Sequence, residues 1–149
     1  MSRYLVVAHE TATSPRLIGE VKRIAAEDKG AQFVLVVPAT PVRHLILRRS
    51  HDEDAGAVAG KRAQEAAAAF GRMGVTLAGT SVGAADPMEA IDEEFGKHPD
   101  YAGVVVSTLP AERSRWLKMH LPDRVREEHH VPVHAVEMPV SEVAQTMLP

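Results

Sequence analysis

Cysteine is absent from this chain of 149 residues. That removes disulfides, thiolate metal sites and cysteine nucleophiles together, and it fits a reducing, cytoplasmic setting. Aromatic residues are scarce, 4% with Trp116 the single tryptophan, which leaves little from which to build base-stacking platforms. Positive charge is not in excess either: 17 Lys and Arg against 20 Asp and Glu give a formal charge of -3. That is the wrong sign for a general nucleic-acid binder, whose affinity comes from neutralising phosphates. No apolar run approaches the roughly 20 residues of a membrane span, and residues 1–8 enter a strand-like run without the pattern of a signal peptide. Neither a membrane nor a nucleic-acid partner is expected. What is present is 45% apolar residues in a length suited to one domain, residues 1–149, with a core of its own.

Short β-branched runs alternate with longer amphipathic stretches, the pattern of a parallel sheet with helices on its faces. Strands are expected over residues 4–8, 32–37, 75–82, 103–107 and 131–136. FVLVV in the second and GVVVS in the fourth are continuous apolar runs, as in strands covered on both sides, so these two belong near the middle of the sheet. Ser14 and Pro15 read as an N-cap and first helical position. Leu17, Val21 and Ile24 then recur at helical spacing until Lys29-Gly30 stops the helix. An alanine-rich helix is expected over 55–73, ahead of Gly74. A third opens at Asp86-Pro87, with Glu89 placed to complete a capping box and Ile91 and Phe95 in its buried stripe. A short fourth covers 122–129. Residues 38–55, PATPVRHLILRRSHDEDA, are too long for a turn and read as a lid, an oligomer contact or a disordered segment. The tail, 138–149, is either loose or docks as a short helix.

Three stretches carry a resemblance. LVVAHETATSPRLIGEVKRIA, DPMEAI, and SRWLKMHLPDRV followed by VPVHAV resemble the opening strand and helix, the third-helix entrance, and the final helix and strand of the universal stress proteins. The similarity runs over nearly the whole chain and is most specific in the last segment. The pairing of STLP with SRWL is similar to a smaller branch of that family. The resemblance implies an open, five-stranded, mainly parallel sheet of order 3-2-1-4-5 with helices on both faces, Rossmann-like and akin to the adenine nucleotide alpha hydrolases. It also implies a stress or regulatory role. Nucleotide-binding members carry Gly-x2-Gly-x9-Gly-Ser/Thr after the fourth strand and an aspartate at the end of the first. Here the glycine positions hold Val106, Leu109 and Met119, the hydroxyl position holds His120, and the aspartate position holds His9. Glycines let a phosphate approach the amides, and a Cβ at each position obstructs that. ATP or AMP therefore stays open as a ligand, without its usual motif.

With that strand order, ligands are expected beyond the carboxyl ends of the strands where the winding reverses. His9, Glu10 and Thr11 fall there on one side, with Val37 from the second strand and Ser107 and Thr108 on the other. Arg113, Ser114, Arg115 and His120 follow, and guanidinium groups can grip an anion without a glycine loop. The expectation is a site for a small anionic ligand in a non-catalytic module, or else for a protein partner. An altered nucleotide site is the alternative, and acid–base chemistry by His9 and Glu10 a third reading. Each feature has a plainer explanation: a solvated basic face, hydroxyls holding loop amides, and Trp116 as a packing anchor. His129-His130 lacks a recognised ligand interval, so no metal is expected, and no nucleophile elbow occurs. The last strand, apolar and at the edge, suggests a homodimer, though Pro132 removes one donor.

Overall fold

The computed structural model describes residues 2–40, 52–111 and 113–139. The expectations placed on 41–51 and on the tail from residue 140 lie outside the described residues. In chain order the elements are β1 (Arg3–Val7), α1 (Pro15–Glu27), β2 (Gln32–Pro38), α2 (Asp52–Arg72), β3 (Gly79–Gly83), α3 (Pro87–Lys97), β4 (Gly103–Thr108), α4 (Arg115–Lys118), α5 (Leu121–His129) and β5 (Val133–Glu137). All five strands run parallel in the order β3-β2-β1-β4-β5. Val7 lies beside Val36 on one flank and Val106 on the other, and Thr108 beside Glu137, so the carboxyl ends line one edge of the sheet.

Alternation along the strands divides the core into two layers. Val6, Leu35, Val37 and Val105 pack under Leu17, Val21 and Ile24 of α1 and under Ala59, Ala63, Ala66 and Phe70 of α2. On the opposite face Leu5, Val7, Val36, Val104 and Val106 meet Ile91 and Phe95 of α3 and Leu121 and Val125 of α5. The continuous apolar reading of β4 is accounted for, since its burial is complete on both sides. Small residues on the inner stripe of α2 bring that helix close to the sheet.

The caps act largely as their residues suggest. Ser14 Oγ accepts from the amides of Arg16 and Leu17 at 3.1 and 3.4 Å, and Asp86 Oδ1 accepts from Met88 N at 3.2 Å. Glu89 is exposed and returns no bond to the cap, so the capping box is not closed among the described residues. The third strand is shorter than expected. After Gly74 at φ 87° the chain wraps from the helix onto the sheet. Val75 N bonds back to Phe70 O, Ala78 N reaches Phe33 O, and only from Gly79 does ladder pairing begin. β5 likewise starts two residues late, at Val133, because Pro132 before it has no amide hydrogen to give. The helical turn α4 was not anticipated: Ser114 caps it by accepting from Leu117 N at 3.1 Å.

Candidate functional site

The chain leaves β1 toward the α1 face and β4 toward the α5 face, so the winding reverses between the carboxyl ends of these neighbouring strands, the place where sheets of this kind have their crevice. A doubly wound parallel sheet takes its ligands at such a switch point. The turn after β1 is held by its own backbone, Ala12 N to His9 O at 3.1 Å and Ser14 N to Thr11 O at 2.9 Å. This turn points Thr11 across the crevice. Thr11 Oγ1 and Ser107 Oγ lie 2.6 Å apart, both buried, and join the two sides of the switch point.

His9 is 6% exposed, yet its Nδ1 and Nε2 are closed to solvent and have no hydrogen-bond partner among the described residues. Burial, and after it the charge of Arg62, lower the imidazole pKa from 6.5 to about 4. The Thr40 backbone pulls weakly the other way without forming a hydrogen bond of ordinary geometry. The ring is therefore neutral near pH 7, with one donor and one acceptor. Leaving such a group unpaired in the interior costs about 1–3 kcal/mol, and an orphan of this kind marks a place for water, an ion or a ligand. Glu10 is half-exposed, and its carbonyl oxygen, not its carboxylate, is engaged, by Arg62 Nη1 at 3.5 Å.

The remaining sequence candidates divide. Thr108 is buried and its carbonyl accepts from Met138 N at 2.8 Å. Val37 has its side chain wholly in the core. Ser114 spends its hydroxyl on the α4 cap. Arg113 and Arg115 are exposed, and His120 stands exposed in the left-handed region at φ 58° ahead of α5. Trp116 packs half-buried against the α3/α5 layer, as a packing anchor should. Arg62 and Thr40 were missed from sequence. Arg62 lies beside the buried alanine stripe of α2, a phase that a helical projection shows, but its nearness to His9 depends on how α2 crosses the sheet. Away from the crevice, His129 Nε2 lies 2.7 Å from Asp92 Oδ1 and stacks on Phe95 at 3.9 Å, tying α5 to α3.

No protein-family model matches the chain, and no curated protein matches it. Solved structures do match. A universal stress protein from Archaeoglobus fulgidus aligns at 15% identity over 91% of this chain and 93% of its own, with a TM-score of 0.60. A universal stress protein family member from Arabidopsis thaliana with AMP bound aligns at 11% identity over 95% of both chains, TM-score 0.60. A universal stress protein in complex with cAMP aligns at 18% identity over 93% of this chain and 98% of its own, TM-score 0.51. The likeness is one of fold: this chain has the Rossmann-like universal stress protein fold, as the resemblance implied.

Proposed function

We propose that this protein is a non-catalytic binding module of the universal-stress-protein type, with a stress or regulatory role, taking a small anionic ligand of the mononucleotide class in the crevice between β1 and β4. One observation carries the reading above the others. A buried, neutral imidazole without a partner among the described residues, His9, sits where an open α/β sheet receives its ligands. Proteins of the same fold with AMP or cAMP bound support the ligand class. A triphosphate cradled by loop amides fits less well. Val106 is a buried core residue, and Met119 packs half-buried against the same layer, where glycines would be needed. Side chains, rather than amides, would then hold the anion.

The module works as a homodimer through β5. Ala135 and Glu137 are exposed on this edge strand, which has no further strand beside it among the described residues and whose Val133 carbonyl is met only by Arg126 Nη2 at 3.1 Å, an edge that proteins usually cover. Sedimentation showing a monomer at micromolar concentration would remove this part. The binding claim is tested by thermal shift with AMP, ADP, ATP and cAMP. Ligand at about a hundred times Kd stabilises the native state by about 2.7 kcal/mol, a rise in Tm of roughly 5–10 °C for a domain of this size. Indifference to all four nucleotides would defeat the proposal.

A further inference from the structure

Arg62 is the cationic group that α2 brings to the crevice. It is half-exposed, and its one hydrogen bond is the long 3.5 Å contact to the Glu10 carbonyl. It makes no salt bridge among the described residues, unlike Arg23 or Arg126, each held by carboxylates at 2.6–2.7 Å. A guanidinium has five N–H donors in a planar fork that matches a phosphate or carboxylate two bonds at a time. Most of that fork has no acceptor among the described residues. Close enough to feel its charge lies His9, whose ring nitrogens have no hydrogen-bond partner of ordinary geometry among the described residues.

One oxyanion held there would accept from both groups, two bonds from the guanidinium and one from the imidazole N–H. Water satisfies them less fully, because it brings no charge to set against Arg62. Glu10 is the nearby acidic residue. Its carboxylate makes no bond to Arg62 and so does not fill the place. Arg113 and Arg115, the candidates from sequence, are exposed, and a guanidinium facing water gains less from an anion than a half-buried one.

We infer that Arg62 is the residue that binds the ligand's anionic group, a phosphate or carboxylate, with the imidazole of His9 as the neighbouring donor. The inference rests on the binding role proposed above and assigns the charge recognition of that site to α2 instead of the β4–α4 connection. The test is calorimetric titration of the wild type, Arg62→Gln and Arg62→Lys with AMP, adenosine and inorganic phosphate. The His9 ring nitrogens are followed by NMR in parallel. Arg62→Gln should weaken AMP and phosphate about ten-fold or more while adenosine changes less than about two-fold. Arg62→Lys should recover part of the loss, and at equal phosphate concentration the His9 nitrogens should shift most in the wild type and least in Arg62→Gln. AMP bound equally by the wild type and both variants would overturn the assignment and leave the site standing. A wild type that binds none of the three compounds would overturn the reading beneath it as well.

Discussion

Between about pH 7 and about pH 5, acid should weaken this fold chiefly through His9. The imidazole of His9 has its pKa lowered from 6.5 to about 4 in the native state, so between those values the unfolded chain carries a proton that the folded chain refuses. Stability is then fully present above about pH 6.5 and falls as the pH drops through this window. Each unit of difference is worth 1.36 kcal/mol, giving a total near 3 kcal/mol. Going from about pH 7 to about pH 5 removes roughly 2 kcal/mol of it. Against a typical stability of about 5–15 kcal/mol this is easily measured. Urea denaturation of the wild type and of His9→Asn across that range isolates the contribution, since every other titrating group is common to both. The wild type should lose roughly 2 kcal/mol more than the variant. Two stability curves that stay parallel from pH 7 to pH 5 would show that His9 is solvated or paired, and would refute the reasoning.

Other perturbations test other parts of the structure. Arg62→Gln should flatten the same pH profile, because the charge of Arg62 is the second cause of the lowered pKa; an unchanged profile would separate the two groups. Ser107→Ala strands the hydroxyl of Thr11, 2.6 Å away and buried, and should cost about 1–3 kcal/mol. Adding Thr11→Val should cost less than the sum of the single changes, and strict additivity in chemical denaturation would argue against the bond. Gly83→Ala would set a Cβ 2.6 Å from Ala90 Cβ and 3.0 Å from Val36 Cγ2, against a helix packed on the sheet, and should destabilise by about 1–3 kcal/mol. Gly19→Ala, with nothing within 4 Å, should be neutral or stabilising by up to about 1 kcal/mol in the same assay.

Local signals made most of this fold legible. Ser14-Pro15 and Asp86-Pro87 announce helix starts by chemistry that acts within three residues, and both caps form as their residues suggest. The unbroken apolar runs of β2 and β4 reflect burial on two faces, which the helices packed on either side of the sheet supply. Boundaries failed where the chain's path, not its propensity, decides pairing: Val75 has a strand former's side chain but spends its amide on Phe70 O. The site was legible only on the side carried by short sequence distance. Turn residues 9–11 and strand-end residues 107–108 could be named, and Thr11 and Ser107 do meet across 96 residues of sequence. Arg62 could not be named, because nothing in GKRAQE distinguishes a guanidinium aimed at a crevice from one in water. The Asp92–His129 contact was hidden for the same reason, since it exists only through the crossing of α3 and α5.

The central claim is that the carboxyl edge between β1 and β4 is a ligand site, and a titration of the ¹⁵N-labelled protein with AMP tests it most directly. Saturable shifts are expected in the turn at residues 9–12, at Thr40 and Arg62, and at Ser107 and Thr108, with the His9 ring among the most affected. Shifts confined to the exposed Arg113, Arg115 and Lys118 side of the fold, or no shifts at millimolar AMP, would contradict it.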